Sequence, residues 1–315
     1  MDRVAFVFPG QGAQTVGMGR DLYDNSPAAR EVFDIVDAAC GTPVSLLCFH
    51  GPDEVLKDTA NAQPALFAVS VAALAACREA GLSPALVAGH SIGEYAALVA
   101  AGSLSVHDGA RLVKARGEAM AQAAAHRPGT MAAVLGLDTQ TVAECCREAN
   151  PTGVVVPANL NAPGQVVISG EIAAVARATE LLKIRGAKRV LPLTVSGAFH
   201  SPLMEVAVST LRGVLQLTDV NDPDLPIVQN VTADYARTAD DVKANLAAQV
   251  AGPVRWTETV ERLVADGATA FVECGPGGVL AGLIKRIAPG AFTFSVGDTA
   301  SLAQAAQSLG AAAGA

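Results

Sequence analysis

The stretch best suited to covalent chemistry is Gly89-His90-Ser91-Ile92-Gly93. An apolar run over 85–88 leads into it and a helix-like run over 92–101, stopped by Gly102, leads out. A serine between glycines at such a strand-to-helix turn has the make-up of a nucleophile elbow, in which missing side chains let backbone segments crowd while the hydroxyl is pushed outward. The N-terminus of the following helix adds free N–H groups and partial positive charge where an oxyanion would form. The same letters also suit an ordinary turn with a capping serine, so the elbow needs partners. A serine nucleophile requires a general base within hydrogen-bond reach and a pair of oxyanion donors. His200, in the loop Ser196-Gly197-Ala198-Phe199-His200-Ser201, fits the first role or a purely structural one. The loop Pro9-Gly10-Gln11-Gly12-Ala13-Gln14 offers Gln11 for the second, with the backbone N–H of Ile92 as the other donor. A nucleotide reading of that loop fails: the dinucleotide fingerprint needs glycine where Thr15 stands, and a P-loop needs Gly-Lys-Ser/Thr.

Gathering residues 11, 91 and 200 at one place requires a parallel α/β sheet, whose loops converge at the C-terminal ends of its strands. Strands are expected over 4–8, 85–88, 227–231 and 270–274, and helices over 21–39, 61–80, 106–125, 239–250 and 256–266. The helix over 61–80 is apolar nearly all round and so reads as buried. Arg111, Lys114 and Arg116 lie along the helix over 106–125; such side chains are normally solvated, unless the fold turns Arg116 toward Ser91. From residue 130 the order changes to strand 131–135, helix 139–150, strands 154–156 and 165–169, helix 172–185 and strand 189–193. That β-α-β-β-α-β order is the ferredoxin-like split unit. The expectation is therefore an α/β protein with a mainly parallel core over 1–127 and 196–315 and a small inserted α+β domain over 128–195.

The chain of 315 residues is long enough for one or two domains with a large core, and alanine rather than aromatic residues supplies much of its 51% hydrophobic content. A formal charge of -8 argues against nucleic acid as a partner. Apolar runs such as 65–77 read as too short to span a bilayer, and the start of the chain lacks a signal-peptide core, which points to a soluble cytoplasmic protein. The alanine-rich tail after Leu309 is expected to fray. Six cysteines without C-x-x-C and five histidines without H-E-x-x-H suggest reduced structural thiols and no metal site.

Two hydrolase readings compete for the elbow. An α/β-hydrolase places its histidine late, yet no histidine follows His200 and no His-Gly-Gly motif is present. A patatin-like Ser-Asp dyad would need Asp-Gly-Ala or Asp-Gly-Gly, and the first form occurs at Asp108-Gly109-Ala110, opening a helix, and at Asp266-Gly267-Ala268, in a helix-ending turn. A further set of motifs in order decides between them: Phe8-Pro9-Gly10-Gln11-Gly12-Ala13-Gln14, Gln63-Pro64-Ala65-Leu66, Gly89-His90-Ser91-Ile92-Gly93-Glu94-Tyr95, Phe199-His200-Ser201-Pro202-Leu203-Met204, Asn230-Val231-Thr232-Ala233, Pro253-Val254-Arg255-Trp256 and Glu273-Cys274-Gly275-Pro276-Gly277. Together these resemble the malonyl-CoA:acyl carrier protein transacylase family, whose fold is a hydrolase-like α/β domain with a ferredoxin-like insert.

The resemblance implies that Ser91 takes the malonyl group from the CoA thioester as an ester and passes it to the phosphopantetheine thiol of an acyl carrier protein. His200 would be the base, oriented by the backbone carbonyl at Gln249, with Gln11 and Ile92 forming the oxyanion hole and Arg116 gripping the malonyl carboxylate. Phe199 resembles the malonyl-selective form of its motif, and Gln63, Asn159 and Asn161 match positions near the pocket. Gly197-Ala198 replaces a commoner proline, so a looser loop around His200 is expected, and Gly278 stands where lysine is frequent. No bound cofactor is implied, and the family resemblance suggests a monomer. Docking of an acidic carrier calls for a basic patch, for which Lys183, Arg185, Lys188 and Arg189 in the insert and Lys285 and Arg286 near the last core helix are candidates, or else solvated helix ends. A serine hydrolase, patatin-like or thioesterase-like, and a non-catalytic acyl-binding relative are the alternatives that use the same elbow.

Overall fold

The computed structural model describes the chain over residues 3–313, with side chains to residue 310. Strand β1 (Arg3–Phe8) opens the fold. The helix expected over 21–39 is two, α1 (Arg20–Asn25) and α2 (Pro27–Cys40), because Ser26 precedes a proline and sits extended at φ -121°. Its hydroxyl then caps α2 by accepting the Ala29 N–H at 3.1 Å. Two short helices that periodicity does not reveal, α3 (Val44–His50) and α4 (Asp53–Lys57), lead to α5 (Thr59–Glu79). By length and composition α5 could cross a membrane, contrary to the reading of the 65–77 run, but 83% of its apolar window is buried inside the protein. Then come β2 (Leu86–Gly89), α6 (Gly93–Ala100) and α7 (Val106–His126).

The next segment runs β3 (Thr130–Leu135), α8 (Thr139–Ala149), β4 (Val155–Ala162), β5 (Gln165–Gly170), α9 (Ile172–Ile184) and β6 (Arg189–Pro192). Strand β4 continues past the expected end at 156, through Pro157, which an edge strand tolerates because a missing N–H there breaks no ladder. The chain closes with α10 (Glu205–Gln216), β7 (Ile227–Gln229), β8 (Asp234–Ala236), α11 (Ala239–Gln249), α12 (Trp256–Ala265), β9 (Ala268–Cys274), α13 (Val279–Ile287), β10 (Phe292–Val296) and α14 (Thr299–Ala313). Strands β8 and β10 and helix α14 were not expected. The tail is helical to Ala313, and its last two residues lie outside the described ones.

Two sheets result. The larger, in the order β10-β9-β1-β2-β7-β8, is parallel except for the β7–β8 pair. Alternate residues of its centre enter different cores: Phe6, Phe8 and Val87 pack on the α5 side, while Ala5, Val7, Leu86 and Ala88 pack with Trp256 and Leu280. Burial on both faces is why these strands read as continuous apolar runs. From β1 the chain steps one way to β2 and β7, and later the other way to β9 and β10, so loops diverge at the C-terminal ends of the central strands. Pairing of Phe8 with Gly89 sets the loops after β1 and β2 side by side. The smaller sheet, β4-β5-β3-β6, is antiparallel throughout. Its Val134 and Ile168 pack with α8 and α9 through Val142, Cys145 and Leu182, while Met131 and Val167 join the larger core. A bridge between Asn159 and Val254 ties β4 to the segment before α12, closed by Leu160 N–H to Val254 C=O at 2.9 Å and Val254 N–H to Ala158 C=O at 2.8 Å.

Candidate active site

Ser91 follows β2 with φ 52°, a left-handed conformation in which few non-glycine residues are found. Sterics force the turn: a Cβ on Gly89 would lie 2.0 Å from the Gly93 carbonyl carbon, and one on Gly93 would lie 2.1 Å from the Phe8 oxygen. The strained serine is braced by the fully buried Asn230, whose Oδ1 accepts the Ser91 N–H at 2.7 Å and whose Nδ2 donates to the Gly89 carbonyl at 2.6 Å. Among the described residues, the N–H groups of Gln11 and Ile92 have no hydrogen-bond partner.

The Ser91 Oγ lies 2.7 Å from His200 Nε2. On the other side of the ring, Nδ1 faces the carbonyl oxygens of Gln249 at 2.8 Å and Gly252 at 3.1 Å. Carbonyls only accept, so Nδ1 carries the proton and Nε2 presents its lone pair to the serine hydroxyl. Burial, and secondly the Arg116 charge, push the His200 pKa down to about 3, so the imidazole is neutral. The loop before it is packed, contrary to the looser loop expected from Gly197-Ala198. A Cβ on Gly197 would lie 2.5 Å from the Ala124 methyl, and the Ser201 hydroxyl donates to the Ala198 carbonyl at 2.6 Å.

Arg116 does not follow the habit of helix arginines. It is 1% exposed, and its Nη1 donates to Gln63 Oε1 at 2.7 Å while Nη2 donates to Gln249 Oε1 at 2.9 Å and to Ser91 Oγ at 3.1 Å. Its Nε has no partner among the described residues, and burial lowers its pKa. The fold thus places a desolvated cation beside the Ser91 hydroxyl.

A cavity of about 450 Å³ opens over these groups, with Phe199, Met120 and Met131 as an apolar wall and Gln63 and Asn159 as polar ones. Asn161 is not in the lining; its Oδ1 holds His90 Nε2 at 2.9 Å, and the His90 ring meets Trp256 edge-on. The aspartates of the patatin-like reading are elsewhere: Asp108 bonds Ser105 at the start of α7, and Asp266 accepts from the Tyr235 hydroxyl and Arg262. Of the basic candidates, Lys183, Lys188, Arg189 and Lys285 are exposed. Arg185 is paired with Glu144 and Glu148, and Arg286 donates to the Gln165 side chain and the Pro163 carbonyl. Two buried residues outside the cavity lining escaped sequence reasoning, Asn230 and Glu94. Both stood within quoted motifs, and a carboxylate in an otherwise apolar helix was the available signal for the second.

A serine on a strand-to-helix elbow, bonded to a carbonyl-held neutral histidine and open to a cavity, is the arrangement that acyl-transferring enzymes with a serine nucleophile require. The sequence profile of the family described as acyl transferase domain matches residues 5–292, and the chain belongs to that family. It is 46% identical over 310 residues to a malonyl CoA-acyl carrier protein transacylase of Bacillus subtilis (strain 168), covering 98% of both chains. Identity to the protein of the same description from Escherichia coli (strain K12) is 44% over 288 residues, 91% of this chain and 93% of that one. Among solved structures, an acyl-carrier-protein S-malonyltransferase from Burkholderia pseudomallei 1710b superposes with a TM-score of 0.93 at 44% identity, covering 97% of this chain and 99% of that one. A malonyl-transacylase in complex with its type II PKS acyl-carrier protein matches at TM-score 0.94 and 41% identity, covering 98% of this chain and all of that one.

Proposed function

We propose that this protein transfers a malonyl group from malonyl-CoA to the phosphopantetheine thiol of an acyl carrier protein, in two half-reactions joined by a malonyl ester on Ser91. One observation carries the reading: the Ser91 Oγ lies 2.7 Å from a neutral imidazole nitrogen and 3.1 Å from a buried guanidinium. A base explains an acyl-accepting serine; a desolvated cation beside it explains an acyl group that ends in a carboxylate.

In the first half-reaction His200 Nε2 takes the hydroxyl proton as Oγ attacks the thioester carbonyl. The oxyanion is received by the free N–H groups of Gln11 and Ile92, and losing one such donor costs about 10²- to 10³-fold in rate. Collapse breaks the C–S bond, keeps the new C–O bond, and returns the proton from His200 to the departing CoA thiolate. The carrier's thiol then repeats the sequence in reverse. The Gln249 carbonyl keeps the histidine in its tautomer throughout. Arg116 pairs with the malonyl carboxylate, a planar partner suited to a guanidinium fork. Gln63 and Asn159 border that acyl pocket, Phe199 narrows it against an α-methyl branch, and Asn161 acts through His90. The CoA and pantetheine thioesters are substrates, so the chemistry asks for no bound cofactor.

We divide the chain into a discontinuous hydrolase-like domain, 1–127 with 196–315, and a ferredoxin-like insert, 128–195. The strand order β4-β5-β3-β6 supports the second part, since it is the 2-3-1-4 order of a split β-α-β unit counted within the insert. The carrier would dock on Lys183, Lys188 and Arg189, with Arg185, Lys285 and Arg286 at the margin, onto a monomer in the cytoplasm.

Incubation with malonyl-CoA followed by intact-mass measurement tests the function. A lasting malonyl adduct that Ser91→Ala abolishes, and that acyl carrier protein discharges, is expected. Rapid release of free malonate would make the protein a hydrolase, and no reaction would leave it a binding protein. For Arg116→Ala, an unpaired malonyl carboxylate costs about 2–5 kcal/mol, so the preference for malonyl-CoA over acetyl-CoA should fall at least about 30-fold.

A further inference from the structure

Close to Ser91, but outside the lining of the cavity, lies a carboxylate that no step of the transfer uses. Glu94, in the first turn of α6, has no exposed surface. Its Oε1 accepts the backbone N–H of Asn230 at 2.6 Å and its Oε2 accepts Nε2 of Gln249. The same Gln249 Nε2 also donates to the Ser91 carbonyl at 2.9 Å, while the other end of that amide, Oε1, receives Arg116 Nη2 at 2.9 Å.

We propose that Glu94 is a positioning residue: it fixes which end of the Gln249 amide faces Arg116, and so holds the guanidinium where the acyl carboxylate meets it. The two ends of a side-chain amide are a donor pair and an acceptor, a guanidinium only donates and a carboxylate only accepts. Turned round, Gln249 would set its NH₂ against Arg116 and its oxygen against Glu94 and the Ser91 carbonyl, three repulsive contacts. Of the two acceptors that hold the NH₂ end, Glu94 is the charged one and so the stronger. A buried carboxylate is an unfavourable way to fill space, and burial pushes the Glu94 pKa up to about 8; yet both of its oxygens receive N–H donors, where an acid proton would meet no acceptor, so the geometry holds the ionised form. An apolar side chain would serve stability better, which points to a role in aiming rather than in filling. The inference rests on the reading that Arg116 grips the malonyl carboxylate.

Glu94→Gln is the test, because it keeps the shape and removes the rule. The single oxygen of the introduced amide cannot accept from both Asn230 and Gln249 Nε2: either the new amide gives up the Asn230 N–H, or Gln249 turns its NH₂ against Arg116, and the proposal requires the second. Rates with malonyl-CoA and acetyl-CoA would be measured by CoA release, with calorimetric melting alongside. Since a hydrogen bond to a charged group is roughly twice as strong as a neutral one, the malonyl-to-acetyl ratio of kcat/KM is expected to fall at least about tenfold while the acetyl-CoA rate stays within about threefold. In the background Gln249→Ala, where no amide remains to be turned, Glu94→Gln should change the ratio no further. An unchanged ratio in the single variant, equal losses for both substrates, or a further fall of the ratio in the Gln249→Ala background would each overturn the proposal. If Glu94→Gln does not fold, Gln249→Ala decides alone, and a ratio within about threefold of the parent overturns the proposal. Arg116→Ala separates the two levels: a ratio it leaves intact refutes the carboxylate grip itself, whereas a ratio lost there but kept in Glu94→Gln refutes only the role of Glu94.

Discussion

Replacing Asn230 by alanine should damage aim far more than stability. The substitution strands the Ser91 N–H and the Gly89 carbonyl, two groups the side chain now holds at 2.7 and 2.6 Å. Each buried orphan costs about 1–3 kcal/mol, which sets a gross loss of about 2–6 kcal/mol. The same loss frees Ser91 from its φ of 52°, and relaxation of such a residue returns about 1–3 kcal/mol. The net is about 2 kcal/mol. With an unfolding entropy of about 2.1 cal/mol/K per residue, a chain of 315 residues loses only about 3 °C in Tm. The hydroxyl, however, no longer points at His200, and a displacement of about 1 Å at reacting atoms costs about 10²-fold. The assay is single-turnover acylation by malonyl-CoA, read by quenched intact mass, with scanning calorimetry on the same preparation. A rate within tenfold of the parent, accompanied by a melting point several degrees lower, would show that Asn230 supports the fold without aiming the serine.

Five further outcomes follow from the same geometry. With the His200 pKa near 3, kcat/KM for malonyl-CoA should hold its neutral value down to pH 5, where an imidazole of ordinary pKa 6.5 would be about 30-fold depleted in its base form. An acid limb centred near 6.5 would contradict that. The same depressed value means that the unfolded chain takes up a proton below about 6.5 that the folded one refuses, so this histidine lowers folding stability by about 2 kcal/mol at pH 5 relative to neutrality, measurable by urea unfolding. Gly93→Ala places a Cβ 2.1 Å from the Phe8 oxygen and should prevent accumulation of folded protein; a variant with parental melting would show that the elbow yields. The parent should prefer malonyl-CoA to methylmalonyl-CoA, with Phe199→Ala narrowing the gap, and comparable turnover of both by the parent would remove Phe199 from substrate choice. Charge reversal at Lys183 and Arg189 should raise KM for carrier protein without altering KM for malonyl-CoA, and an unchanged value would move docking elsewhere.

What the sequence made legible is what local chemistry dictates. Ser91 was readable because glycines at 89 and 93 and an apolar strand before them leave few other turns, and the central strands because burial on both faces makes them uniformly apolar. Position-by-position resemblance, not periodicity, singled out Arg116. Helix position alone assigns an arginine to solvent, and only packing of α7 in the core turns this one inward. Boundaries failed where a single residue competes with a pattern: Ser26 before Pro27 splits a helix, and Pro157 disguises the continuation of an edge strand. Asn230 and Glu94 stayed hidden for a different reason. Each acts on atoms more than a hundred residues away, as Asn230 does on Ser91, or is buried by such contacts, and no spacing rule encodes a partner at that distance.

All six cysteines are free and buried, with burial pushing Cys40 up to about 11 and Cys48 and Cys146 up to about 12. Thioesters exchange with thiolates, not with thiols. Burial therefore withholds the thiols of Cys40, Cys48 and Cys146 from the acyl traffic, so they do not compete with the proposed acceptor, the Ser91 hydroxyl. For the experimenter this has a practical return: a thiol-reactive dye added to the folded protein should count liberated coenzyme A against almost no background, enough to titrate the first turnover directly.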